Sequence, residues 1–168
     1  MIMERLWFVI PELILFAGVV AVAILGLVRS NRLRAWVPWV TAIFIIAAGV
    51  ATPLIFTSSA LEKVDFILPG LGGPMGLVAC IVALALLVMT VGRVDRRYEQ
   101  GIVEGRSTFD PMRANRGEYH VFFLLSLAGL MLVSTANDLI WLFLALELTS
   151  LPTYVMVAMS RGSIRAQE

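Results

Sequence analysis

The sequence holds one cysteine, Cys80, one histidine, His120, and one lysine, Lys63. A single thiol excludes an intrachain disulfide framework. It also excludes a cysteine-built iron–sulfur or zinc set, since each needs several ligands at fixed spacing. Also missing is a Gly-rich phosphate-binding loop, so the chain is expected to hold no metal, flavin or NADH of its own. The formal net charge is +1, and the basic residues fall in short clusters rather than along a stripe, which argues against a nucleic-acid partner. At the N-terminus Glu4 and Arg5 cancel, and the apolar run that follows is too long for the core of a cleaved signal peptide. Cys80 lies within an apolar run. His120 stands at the edge of one, where it reads as an interfacial packing residue.

Apolar residues are what the chain has in excess. They make up 60% of its 168 residues, against about 45–50% in soluble domains. Five runs are long enough to cross a hydrocarbon slab of about 30 Å as helices, and the expected fold is an all-α polytopic membrane protein forming one membrane domain. The spans are placed at about 9–28, 35–56, 75–91, 119–135 and 139–159. The first opens with Pro11 and Glu12. Proline suits a first helical turn, whose N–H groups are unpaired anyway, and an acid suits the positive end of the helix dipole. Glu12 is therefore read as an interfacial carboxylate, with a functional role as the alternative. Trp36 and Trp39 anchor the second span at an interface, Pro38 fits its first turn, and Pro53 marks its fraying end.

Between the spans, the Gly- and Pro-rich run from Leu68 to Pro74 is expected to be irregular. The segment 92–118 carries six Arg and five acids and reads as a solvated loop, with a short amphipathic helix around 94–103. Ser126, Ala128, Gly129 and Ser134 give the fourth span small positions for close helix approach. The turn Ala136-Asn137-Asp138 makes the fourth and fifth spans an antiparallel hairpin, with Asn137 or Asp138 able to cap the fifth. With the N-terminus outside, eleven of the thirteen basic residues fall in inner loops, leaving Arg5 and Lys63 outside. The positive-inside rule then places the C-terminus in the cytoplasm.

The stretch Leu132–Met159 carries the chemistry. Its fifth-span carboxylate, Glu147, has eight uncharged residues before it, from Leu139, and thirteen after it, to Ser160. At 1.5 Å per residue it sits about 12 Å into the helix. A carboxylate at that depth costs at least ~2.5 kcal/mol on insertion scales and turns to a partner or a polar cavity. Ser150 and Tyr154 share its face at i+3 and i+7. Pro152 has no N–H for the carbonyl of Leu148, which loosens the turn beside the acid. The set suits a hydrated proton site; alternatively Glu147 is a hydrogen-bonded structural residue holding helices together. Asp138 is a helix cap or a proton-entry contact. Trp141 and Phe143 read as packing or interface residues. No Lys or Arg lies in any of the five spans, so a cation that would let Glu147 reach both its charged and neutral states must come from elsewhere.

The segment from Ser134 to Ala158 resembles the junction of the fourth and fifth helices in the antiporter-like subunits of proton-pumping NADH:quinone oxidoreductase, respiratory complex I. The string Leu146 to Val155, LELTSLPTYV, is similar to subunit N in particular, as are Pro11-Glu12-Leu13 and Gly117-Glu118-Tyr119. Its sister subunits and the Mrp-type antiporters carry an aromatic residue before this glutamate and a different proline context. The resemblance implies that Glu147 is a proton carrier working with lysines on later helices of a fold of about fourteen. The tail from Ser163 to Glu168 resembles the lead into a sixth helix, so the chain is expected to be the N-terminal portion of that larger fold. Implied partners are the other membrane-arm subunits, protons and the lipid of the inner (plasma) membrane. FMN, iron–sulfur clusters and quinone would belong to other subunits. An Mrp-type cation/proton antiporter subunit and a non-transporting scaffold are the alternative functions.

Overall fold

The structure is a computed structural model, which describes residues 8–28, 36–56, 72–91, 104–105, 116–136 and 138–159. Among these lie five helices: α1 (Ile10–Leu27), α2 (Val37–Ile55), α3 (Gly72–Val91), α4 (Arg116–Thr135) and α5 (Leu139–Met159). All five are long and apolar enough to cross a membrane. The loop and helix expected around 94–103, Lys63, Asn137 and the C-terminal tail lie outside the described residues.

Pro11 and Pro38 occupy the first turns of α1 and α2, where their missing N–H groups cost nothing. Pro53 lies inside α2, two residues before its end. The third span departs from expectation. Gly72, Gly73 and Pro74 are helical rather than irregular, and α3 begins at Gly72. Pro74 falls within the first turn, where proline is tolerated. The two glycines pay off by contact: a Cβ on Gly72 would stand 3.0 Å from both Phe56 and Thr135, and one on Gly73 would stand 2.9 Å from Phe56. A methyl at either position would push against these side chains.

Helices α1 to α4 form a ring in which α1 packs on α2 and α4, and α3 packs on α2 and α4. Neighbours run antiparallel. Phe8 meets Phe56 edge-on at 5.8 Å, and Gly18 faces Phe44 a few turns further along. Gly26 at the end of α1 meets Gly117 at the start of α4, so closely that a Cβ on Gly117 would lie 2.5 Å from the Gly26 Cα. Gly49 faces Cys80, and Gly76 faces both Thr52 and Met131. The core includes Leu15, Val22, Ile45, Ala48, Leu124 and Met131. The outward faces carry Val20, Ile24, Ile43, Leu54, Val88 and Met89 exposed, a surface that suits hydrocarbon.

The expected α4–α5 hairpin is present. Helix α5 lies outside the ring and packs chiefly on α4, so only 11% of its membrane window is buried, against 28–39% for the other four.

Candidate functional site

The position of Glu147 follows from how α5 grips α4. Ala145, Thr149 and Pro152 recur at i, i+4 and i+7, and Ala145 and Pro152 are buried. Gly129 of α4 is opposite them, and a Cβ there would lie 2.6 Å from the Thr149 backbone nitrogen and hydroxyl and 2.8 Å from the Leu148 carbonyl carbon. This close approach carries polar contacts. The Ser126 hydroxyl donates to the Thr149 carbonyl at 3.2 Å and lies 3.2 Å from the Thr153 hydroxyl. Thr153 donates to the same carbonyl at 2.8 Å, and Thr149 to the Ala145 carbonyl at 2.9 Å. Sequence reasoning treats Ser126 as a small residue alone. Its pairing with threonines spaced four apart on α5 emerges only once the hairpin register is known.

Glu147 is on the opposite side. At 100° per residue it stands about 160° from Thr149 around the α5 axis, on the face that also carries Phe143, Leu144, Leu151 and Tyr154, all of them exposed. Glu147 itself is half-buried. Ser150 donates to the backbone carbonyl of Glu147 at 3.4 Å rather than to its carboxylate, and the Tyr154 ring is 68% exposed. The polar stripe therefore exists as a face, and it looks away from the four-helix ring. Pro152 is turned inward against α4, so the Leu148 carbonyl, which proline cannot serve as an N–H donor, lies at the Gly129 crossing. Asp138 is exposed and takes the cap position in backbone terms: its carbonyl accepts the first helical N–H, from Leu142, at 2.8 Å. Trp141 and Phe143 are exposed on α5.

The interfacial reading of Glu12 is overturned. The residue is 1% exposed and points into the ring, on the stripe of α1 that also buries Pro11, Leu15, Gly18 and Val22. A Pro-Glu helix start looks the same in sequence whether it meets water or another helix. The small residue at 18 is the one signal that this stripe faces inward. His120, expected at an interface, is also buried, with Tyr119 edge-on to it at 5.8 Å.

Neither a protein-family model nor a solved structure matches the chain. Curated proteins do. Over 94% of its length it is 32% identical to a Rhizobium meliloti (strain 1021) protein named NADH-quinone oxidoreductase subunit N 1, covering 30% of that protein. It is 30% identical over its full length to subunit N of Maricaulis maris (strain MCS10) and 29% identical over 99% to that of Methylobacterium nodulans, covering 32% of each. The chain thus spans about a third of the length of the relatives it matches.

Proposed function

We propose, from its homology to part of subunit N of NADH-quinone oxidoreductase, that this multi-pass membrane chain forms part of the membrane arm of a proton-translocating NADH:quinone oxidoreductase. In this reading Glu147 passes protons in a path coupled to quinone reduction, and the N-terminus lies outside. The observation that carries the reading is the side of α5 on which Glu147 lies: about 12 Å into the helix and turned away from α4, the helix on which α5 chiefly packs among the described residues. A carboxylate at that depth faces a partner or a polar cavity. The uncovered face is where such a partner would sit, and Arg116 at the start of α4 is the one Lys or Arg within α1 to α5.

The chemistry asks little else of these helices. Ser126, Thr149 and Thr153 fix α5 on α4 and so fix the height and rotation of Glu147. Pro152 weakens the helix one turn beyond the acid, which gives that turn room to flex. The carboxylate then takes up and releases a proton as a cation from another segment approaches and withdraws.

Glu147→Gln in the assembled oxidoreductase tests the reading, because glutamine keeps the size and hydrogen bonding but cannot ionise. Proton pumping measured in membrane vesicles should fall while the complex still assembles. Unchanged pumping would sink the proposal, and lost assembly would make Glu147 a helix-holding residue instead.

A further inference from the structure

The carboxylate best enclosed by this bundle is Glu12. It is 1% exposed, and its Oε2 has no hydrogen-bond partner among the described residues. The register of the ring places it in a defined layer. Phe8 against Phe56 and Gly18 against Phe44 put Glu12 level with Thr52 of α2. Gly26 against Gly117 puts it level with Met131 of α4. The layer closes on α3, where a Cβ on Gly76 would stand 3.1 Å from the Thr52 methyl and 3.3 Å from the Met131 methyl. One turn nearer the helix ends, the edge-on rings of Phe8 and Phe56 cover this layer.

No described wall offers a counter-charge. Helix α2 has no titratable residue, and α3 has Cys80 alone. The titratable groups of α4, which are Arg116, Glu118, Tyr119 and His120, all lie at the opposite end, by the Gly26–Gly117 contact. Glu147 faces away from the ring. A buried carboxylate whose described surroundings hold no cation can be satisfied by a proton instead. A hard cation is the poorer occupant, because it needs a shell of several oxygens. The layer supplies one hydroxyl, Thr52, which already donates to the Ala48 carbonyl at 2.8 Å. Beside it are the soft sulfurs of Cys80 and Met131, 3.8 Å apart. The first turn of α1 adds its own backbone N–H groups beside the carboxylate.

We propose that Glu12 is a second proton-binding site, separate from Glu147, enclosed at the level of Thr52, Gly76 and Met131 and covered by the Phe8–Phe56 pair. Its proton exchanges with the water at that end of the bundle when the two rings part. The site does not depend on any role of Glu147.

Infrared pH titration of the full chain in phosphatidylcholine vesicles tests this in a Glu147→Gln background. A carbonyl band of a protonated carboxylic acid should be present at neutral pH, fade as the medium is made alkaline, and vanish in Glu12→Gln. Glu12→Asp should restore such a band, which separates loss of the acid from loss of the fold. Phe56→Ala should keep the band and speed its response to a pH jump several-fold. The unsubstituted chain gives an independent reading: dicyclohexylcarbodiimide, which adds to protonated carboxyls in apolar surroundings, should leave a mass adduct on Glu12 that diminishes at alkaline pH. A band indifferent to Glu12→Gln, a band displaced by sodium at fixed pH, or the absence of any Glu12 adduct across the pH range would each overturn the proposal.

Discussion

Replacing Gly129 with alanine tests the joint on which the position of Glu147 depends. The added Cβ would lie 2.6 Å from Thr149 and 2.8 Å from the Leu148 carbonyl carbon, and two of those three contacts are backbone atoms that no rotamer change can move. Ordinary contact begins near 3.4 Å, so α5 must retreat by about 0.8 Å, the difference between 3.4 and 2.6. The two Ser126 contacts, now at 3.2 Å, would then stretch beyond useful hydrogen-bond length. Overpacking costs about 1–3 kcal/mol and each lost interhelical hydrogen bond ~0.6, so the α4–α5 joint should weaken by about 2–4 kcal/mol. Equilibrium unfolding in mixed micelles, with spin labels on α4 and α5 reporting their separation, measures both the energy and the retreat. Ser126→Ala should cost no more than about 1 kcal/mol. Leu130→Ala, on the exposed side of α4, should keep the α4–α5 separation unchanged. If Gly129→Ala leaves both stability and separation at their original values, the close crossing is not what holds α5.

Two further substitutions probe the bundle. Gly26→Ala or Gly117→Ala places a methyl against the backbone of the partner helix, so either should destabilise the α1–α4 contact by about 1–3 kcal/mol in the same unfolding measurement. An indifferent result at both positions would refute the crossing. Pro152→Ala supplies the missing N–H to the Leu148 carbonyl, and hydrogen exchange should show a protected amide at position 152. A freely exchanging amide would mean that the turn is open for some reason other than proline. If the flexible turn matters to proton transfer, the same variant should slow pumping in the assembled oxidoreductase without changing assembly.

How far the chain could be read without coordinates differs between Glu12 and Glu147. Apolar runs of spanning length, bounded by Trp, Pro and Arg, are one-dimensional signals, and they place all five helices to within about three residues. The short Ala136-Asn137-Asp138 link forces α4 and α5 to be neighbours, because two helices joined by so short a turn have nowhere else to go. The depth of Glu147 is likewise a matter of counting residues along a helix of known rise.

What faces what was not available from counting. In a chain whose helices are apolar on every side, hydrophobic periodicity scarcely distinguishes the inward stripe from the lipid-facing one, because lipid and core ask for the same side chains. That is why Glu12 reads as an interfacial acid until the ring of α1 to α4 closes over it, and why the outward turn of Glu147 appears only once Gly129 fixes the rotation of α5. The helical start at Gly72 has the same origin. A Gly-Gly-Pro string breaks a helix in isolation, but here the glycines let the entry of α3 pack directly against Phe56 and Thr135. Counting along the chain therefore identified which segments are long and apolar enough to cross a membrane and how far along its helix each acid lies. Packing between helices settled which acid is enclosed and which is turned outward, since that depends on close backbone approaches between residues far apart in the chain.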